Sequence, residues 1–198
     1  MAEAVRLIVG LGNPGPGYAH TRHNAGADWV RLLSAEHGVQ WRRDARFFGE
    51  LARLEINDSA VWLLVPETYM NRSGQAVAAV LRFHRIPPAE ALVVHDELDL
   101  PSGVVRLKRG GGHGGHNGLR DIIQALGGAR DFARLRIGIG HPGPGADVVA
   151  YVLRRPAPEE SVRIRDAGVR ALEVVPALAS GDWDRAVRQL HTIDNGPG

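Results

Sequence analysis

Apolar and polar positions alternate along the chain with periods that predict strands and helices in turn. A β-branched apolar run over 5–12 ends in glycine, which is typical of a buried strand. Residues 24–37 then place apolar side chains three and four positions apart, which predicts an amphipathic helix. The chain therefore opens as a strand, a glycine-rich loop and a helix.

The same two periods predict the elements that follow. Strands are expected at 47–56 and 60–65, and the turn at 57–59 between them predicts antiparallel pairing. A second helix is expected to begin near Ser73, whose hydroxyl suits an N-cap. Two helical stripes close the chain, and Pro176 is expected to bend or end the first of them. Between these stretches the pattern predicts strands at 91–95, 103–108 and 135–139 and a third helix at 119–126.

Strands interleaved with helices predict a three-layer α/β/α fold around a central mixed, mostly parallel sheet. A length of 198 residues fits a single domain over 1–198, and we expect a flexible tail at 191–198. Hydrophobic residues make up 44% of the chain and charged residues 23%. These values are ordinary for a globular protein and argue against the disordered and fibrous classes.

The sequence shows no sign of a secreted or membrane protein. No run of about 18 apolar residues occurs, and the first residues lack the basic start and apolar stretch of a secretory signal. Because the chain has no cysteine, a disulfide, a thiol nucleophile and a Cys-ligated zinc site are excluded. We therefore expect a cytoplasmic protein with no membrane partner.

The basic residues give a weak indication of nucleic-acid binding. All 24 of them except Lys108 are arginine, the side chain that binds phosphate in bidentate fashion. A GC-rich codon bias would produce the same excess, because Ala, Gly and Pro are abundant as well. The bases cluster modestly, at 42–46, 106–109 and 130–136.

Polar side chains gather where the predicted strands end. Such clusters lie at 10–15 and 21–24 after the first strand, at 69–71 after the third and at 95–97 after the fourth. Ligand crevices of open α/β sheets lie outside the carboxyl ends of the strands, so these loops are expected to converge on one site. The glycine-rich stretch 110–118 precedes the third helix, where its backbone N–H groups can face an anion or a carbonyl oxygen.

Four motifs occur in order over nearly the whole chain. They are GLGNPGPGYAHTRHN at 10–24, PETYMNRSG at 66–74, HDELDLPSG at 95–103 and GGGHGGHNGLRDI at 110–122. Together they resemble the bacterial peptidyl-tRNA hydrolase family. The resemblance implies a monomeric esterase, with no obligate protein partner, that hydrolyses the ester between a peptide and the 3′ ribose of tRNA.

The residues are consistent with that reaction, which needs a nucleophile, a base and donors for the developing oxyanion. Water is the expected nucleophile, because the chain has neither cysteine nor a G-x-S-x-G motif. His23 is predicted to be the general base, since an unperturbed imidazole with a pKa of about 6.5 is largely neutral at physiological pH. Asp96 is expected to hold its other nitrogen, which would fix the tautomer and stabilise the imidazolium.

The resemblance implies roles for further residues around the scissile ester. Asn13 and Asn71 are expected to flank the attacked carbonyl, with Asn13 helping to distinguish blocked from free aminoacyl ends. His116 and Asn117 are expected to bind the peptide or the terminal nucleotide. The residues expected to line the groove are Tyr18, Tyr69 and Met70.

The resemblance also predicts where the tRNA lies. Beyond its acceptor end, Lys108 and Arg136 match basic positions expected to grip the 5′ phosphate, a contact that is blind to sequence. One departure stands out, because the loop after the last strand, at 143–147, has the acid Asp147 and no base. Part of the tRNA-docking surface of the family is therefore in question here.

Other readings compete with these assignments. His113 and His116, with His95 elsewhere, raise the alternative of a metal site, but their spacing is not expected to be helical and no carboxylate ligand accompanies them. The resemblance implies a reaction without metal, and we expect no cofactor. Asn117 is also a natural N-cap for the third helix, a role that is compatible with binding.

Two other functions remain as alternatives. The G-x-G-x-x-G pattern at 10–15 is found in dinucleotide-binding oxidoreductases, but Pro14 and Pro16 disfavour a tight entry into a helix. An RNA-binding protein that kept the fold without the reaction would be expected to lose part of the catalytic set. That set is intact, with Asn13, His23, Asn71, Asp96 and Asn117 all present.

Overall fold

The computed structural model describes residues 3–194, and its strands follow the predicted order. The apolar runs of the sequence become five of its strands, and a hairpin at 49–66 joins two of them. The strands are β1 Leu7–Gly10, β2 Arg42–Asp44, β3 Gly49–Ile56, β4 Ser59–Pro66, β5 Ala91–Glu97, β6 Val105–Arg109 and β7 Ala133–Gly138.

These strands form one sheet in the order β2-β3-β4-β1-β5-β7-β6. The central strands β4, β1, β5 and β7 are parallel. On the two sides, β3 and β6 run antiparallel to them, and β2 turns back again. Five of the seven strands therefore run in one direction, which confirms the predicted mixed, mostly parallel sheet.

Helices cover both faces of the sheet. They are α1 Ala25–Glu36, α2 Ser73–His84, α3 Asn117–Ala125, α4 Val148–Val152, α5 Pro158–Ala171, α6 Val175–Ala179 and α7 Trp183–Asp194. One apolar cluster joins the sheet to α1, α5, α6 and α7, and a second joins it to α2 and α3. Neighbouring residues of β1 divide between the faces, with Ile8 in the first cluster and Leu7 and Val9 in the second. This arrangement confirms the three-layer prediction.

The local predictions were confirmed in part. The hairpin turn places Asn57 and Asp58 at φ 50° and 61°, the left-handed conformation that a tight turn between antiparallel strands requires. The interruption predicted near Pro176 is present, because α5 ends at Ala171, a 3₁₀ turn follows, and Pro176 is the second residue of the next short helix. Ser73 is not an N-cap, since its hydroxyl donates to the carbonyl of Met70 instead.

The chain end differs from the predicted tail. Helix α7 continues to Asp194, so the expected boundary at 191 falls inside a helix, while 195–198 lie outside the described residues. Within 3–194, no helix combines the length and the apolar character that a membrane crossing requires.

Candidate active site

The carboxyl ends of β4, β1 and β5 meet at one edge of the sheet, and the predicted polar loops follow them there. A cleft of about 540 Å³ lies beside them, lined by His23, the end of β5, the glycine-rich loop, β6, β7 and α4. His23, Asp96 and His116 lie on one side of it, and Val149 of α4 lies on another. His23 and Asp96 line it together, and Asn13 is hydrogen-bonded to both Asn24 and Met70, so the loops predicted from the strand ends do converge.

His23 lies in a 3₁₀ turn, Arg22–Asn24, that leads directly into α1. Its Nδ1 lies 3.0 Å from Asp96 Oδ2 and 3.1 Å from Oδ1. Because a carboxylate only accepts, Nδ1 carries the proton and Nε2 is the basic nitrogen. Burial lowers the pKa of His23, but the charge of Asp96 and their hydrogen bond outweigh burial, so this pKa lies above its ordinary value.

Asp96 ends the buried part of β5 and is almost inaccessible to solvent. Burial raises the pKa of its carboxyl, but the charges and hydrogen bonds of His116 and His23 hold that pKa well below its usual range. The group is therefore ionised at physiological pH, as an acid that orients a histidine must be.

His116 makes the second hydrogen bond to this carboxylate. Its Nε2 lies 2.8 Å from Asp96 Oδ1, and its Nδ1 accepts from the backbone N–H groups of Gly118 and Leu119 at 3.1 and 3.4 Å. It is thus the N-cap of α3, and the prediction of Asn117 as the cap is wrong. Asn117 is instead the first helical residue, and its Oδ1 accepts from Arg120. With both ring nitrogens engaged, His116 has no free one for the substrate.

His95 lies beneath this pair, with its Nδ1 2.8 Å from the backbone oxygen of Asp96. Burial, reinforced by His116, lowers the pKa of His95 to about 3. It is therefore neutral and donates to that carbonyl, and its buried Nε2 has no hydrogen-bond partner among residues 3–194.

The grouping of His23, Asp96 and His116 has the composition of a metal site, with potential ligand atoms within 4.8 Å of one another. Its surroundings argue against one. A metal-bound histidine normally donates its other ring N–H to an acceptor, whereas Nδ1 of His116 faces two backbone donors. Binding an ion at Nε2 would force a proton onto Nδ1, opposite those donors. The alternative based on His113 is wrong, because His113 does not belong to this group of potential ligands among the described residues.

Asn13 links the first loop to the turn before α2. Its Oδ1 accepts from the backbone N–H of Met70 at 2.7 Å, so its Nδ2 is the side-chain donor available to a ligand. Asn24 fixes the same loop, because its amide exchanges two hydrogen bonds with the backbone of Asn13, at 2.8 and 3.0 Å. Sequence reasoning did not single out Asn24, although it directly follows His23 in the first motif.

The predicted groove residues divide into exposed and buried ones. Tyr69 is 60% exposed, and its ring meets that of Tyr18 edge to face with centroids 6.3 Å apart. Asn71 is exposed on the adjoining 3₁₀ turn. Met70 is buried, and its sulfur lies so close to Gly118 that a Cβ there would be 2.6 Å away. It therefore packs beneath the site instead of lining it.

The basic residues lie at the other end of the cleft, on β6 and β7. Both Lys108 and Arg136 line it, and Arg136 pairs loosely with Glu97, at 3.7 Å. Arg134, which the sequence reasoning did not assign to the site, is buried and donates to the carbonyls of Gly111 and Gly112. It thereby holds the glycine-rich loop against the sheet.

Helix α4 forms the remaining wall. Arg22 anchors it by donating to the carbonyl of Tyr151 at 3.1 Å, and the same guanidinium donates to Glu160 of α5 at 2.8 Å. Asp147, the acid that departs from the family pattern, is the N-cap of α4 and accepts from Ala150 N–H. Its presence is thus explained by a local structural role.

The glycine pattern at 10–15 does not form a dinucleotide site. After β1 the chain makes two 3₁₀ turns, and α1 begins only at Ala25. The helix N-terminus that binds a pyrophosphate in such sites therefore does not follow the glycines.

Comparisons with known proteins agree with this geometry. A family profile described as peptidyl-tRNA hydrolase matches residues 7–196. The chain is 59% identical to the peptidyl-tRNA hydrolase of Saccharophagus degradans over 95% of each chain. It is 57% identical to that of Nitrosospira multiformis, over 95% of this chain and 98% of the relative. The crystal structure of peptidyl-tRNA hydrolase from Acinetobacter baumannii superposes with a TM-score of 0.90 at 47% identity, over 94% of each chain.

Proposed function

This chain belongs to the peptidyl-tRNA hydrolase family, and on that premise we propose how its own residues perform the reaction. The enzyme hydrolyses the ester that joins a peptide, or an N-blocked amino acid, to the 3′ ribose of tRNA. His23 is the general base and Asp96 orients it. The observation that carries this proposal is the 3.0 Å contact between His23 Nδ1 and Asp96 Oδ2 inside the cleft.

The chemical steps follow from the free nitrogen of His23. Nε2 takes a proton from water while the water oxygen attacks the ester carbonyl, and the imidazolium that forms is stabilised by Asp96. The tetrahedral intermediate then expels the 3′ oxygen of the ribose, which receives the proton from His23. The products are the free peptide acid and tRNA, and the imidazole returns to its neutral state.

In this proposal, three amide side chains contact the ester carbonyl and the adjoining parts of the substrate. Nδ2 of Asn13 is a donor, because Met70 occupies its oxygen. Such a donor attracts the carbonyl of a blocked end and repels the ammonium of a free aminoacyl end, which favours peptidyl over aminoacyl substrates. Asn71 flanks the attacked carbonyl from the adjoining turn. Asn117 offers its Nδ2 to the substrate, since its oxygen accepts from Arg120.

The tRNA extends from this centre along the cleft. Tyr18 and Tyr69 present ring edges and faces to the acceptor end, and Lys108 and Arg136 bind the 5′ phosphate. The loose pairing of Arg136 with Glu97 supports this, because a phosphate can replace a weakly held partner. We further propose a single-domain, cytoplasmic monomer that needs no metal, cofactor or protein partner.

A direct test uses N-acetyl-aminoacyl-tRNA and the matching unblocked aminoacyl-tRNA, in buffer containing EDTA. We expect rapid release of tRNA from the first and much slower release from the second. His23→Ala should abolish release yet still bind tRNA, whereas His37→Ala, at an exposed position after α1, should behave as wild type. Binding of tRNA without hydrolysis by the wild type would favour the RNA-binding alternative.

A further inference from the structure

We propose that His116 is a positioning residue that acts on His23 through Asp96, by donating a second hydrogen bond to the same carboxylate. This inference rests on the proposed role of His23 as the base. It replaces the expected substrate contact of His116 with a function inside the catalytic centre.

The tautomer of His116 is fixed by its hydrogen-bond partners. Nδ1 faces two backbone N–H groups at the start of α3, so it must be the unprotonated nitrogen, and Nε2 must carry the hydrogen that points at Asp96. Rotating the ring by 180° would lose the cap and the carboxylate contact together. The side chain is only 9% exposed, so water cannot readily replace either partner. The start of α3 thus dictates that His116 is a donor to Asp96.

The carboxylate of Asp96 is shared between two donors, and each weakens its hydrogen bond to the other. A carboxylate oxygen that already accepts one hydrogen bond has less electron density to offer to another donor. The N–H of His116 therefore weakens the pull of Asp96 on the proton of His23. The two backbone donors polarise the imidazole ring of His116 and strengthen its own donation. The result is a base that stays neutral, and so active, at a lower pH than it would beside Asp96 alone.

The surrounding charges leave this arrangement intact. Among residues 3–194, the side chains hydrogen-bonded to the Asp96 carboxylate are those of His23 and His116. His95 lies beneath them but is neutral, and it binds the backbone oxygen of Asp96. The other titratable or charged groups that line the cleft are Glu97, Asp99, Lys108, His113, Arg134 and Arg136. They belong to the strands, to the turn after β5 or to the glycine-rich loop, and none is hydrogen-bonded to the carboxylate among the described residues.

The test separates the contact with Asp96 from the cap. His116→Asn keeps an oxygen that can accept from the N–H groups of α3, but it has no atom where Nε2 lies. His116→Ala loses both functions. The pKa of His23 is measured in the free protein by NMR titration of its ring protons, and the acid limb of kcat/KM is measured in parallel.

We expect the pKa of His23 to rise by roughly half to one pH unit in both variants, with the acid limb of kcat/KM moving by the same amount. The control is His113→Asn in the same loop, which should leave the titration of His23 unchanged. An unshifted pKa in both variants would overturn the proposal. So would a shift in His116→Ala that His116→Asn restores, because the cap alone would then explain it.

A higher KM with an unmoved titration would also overturn the proposal, and would restore the substrate contact. Because the NMR titration needs no substrate, its outcome is separate from that of the hydrolysis assay. A protein that fails to hydrolyse peptidyl-tRNA would refute the proposed base, whereas the response of His23 to His116 would still be measured.

Discussion

The catalytic centre and the basic end of the same cleft are built in opposite ways. In the centre, His23, Asp96 and His116 are mostly buried and are joined by hydrogen bonds of 2.8 to 3.1 Å. At the basic end, Lys108 is exposed, and Arg136 reaches Glu97 only at 3.7 Å. The proposed catalytic groups are thus held in place before substrate arrives, whereas the proposed docking surface is left open. This division suits an enzyme whose ester is constant while its tRNA varies.

The largest effect should follow from changing the centre. Asp96→Asn removes the charge that favours the imidazolium, and its amide can present a donor to Nδ1 and so favour the wrong tautomer. We expect kcat to fall by about 10²- to 10⁴-fold with little change in tRNA affinity. Rates at saturating substrate, together with a thermal unfolding curve to show that the fold survives, check this. Near-normal kcat in a folded variant would contradict the pairing.

Changes at the basic end should act on binding alone. Lys108→Gln or Arg136→Gln should each raise KM by about tenfold, since each removes a charge-assisted phosphate contact, and should leave kcat unchanged. The dependence of kcat/KM on salt should also become shallower. Arg165→Gln, at an exposed position on α5, is the control. A fall in kcat instead would mean that the two regions are not separable.

The proposed selectivity for N-blocked aminoacyl ends can be tested at Asn13. Asn13→Asp keeps the oxygen that accepts from Met70 N–H and replaces the donor with a second oxygen. The ratio of kcat/KM for N-acetyl-aminoacyl-tRNA over aminoacyl-tRNA should then fall by roughly tenfold. Paired assays on the two substrates measure it, and an unaltered ratio would remove Asn13 from this role.

The last prediction concerns the stability of the fold beneath the centre. The pKa of His95 is about 3 in the folded chain against 6.5 for the free group, so the folded state binds fewer protons than the unfolded state between these values. The free energy of unfolding should therefore decline as pH falls through this window. His95→Asn keeps a donor for the Asp96 carbonyl and cannot titrate, so it should flatten the decline between about pH 6.5 and pH 4. Parallel slopes for the two proteins would contradict the burial of a neutral His95.

The positions of the strands and of the loops that form the site could be predicted from the sequence. Strand ends and their polar loops follow from local periodicity, which is why the convergence of these loops could be predicted, whereas the pairing of His23 with Asp96 was expected from the resemblance. The short elements could not, because Arg42–Asp44 is a charged strand of three residues and Val148–Val152 a helix of five. Neither is long enough to show a period.

The rest of the site depends on contacts between distant segments. Arg134 clamps a loop more than twenty residues away in sequence, and Arg22 anchors a helix on the far side of the cleft. The side chain of His116 caps α3 because the lone pair of its Nδ1 points at the backbone N–H groups. Residue preferences at N-caps favour asparagine, so the sequence alone favoured Asn117. Such roles follow from packing, and only the folded chain reveals them.

Chemical rescue tests the central claim most directly, because it asks whether a free imidazole can replace the missing one. In His23→Ala, hydrolysis of N-acetyl-aminoacyl-tRNA should be lost, and added imidazole should restore part of it in proportion to its neutral form. Such a response would place a neutral imidazole base at this position. Residual hydrolysis near the wild-type rate without imidazole would contradict the account.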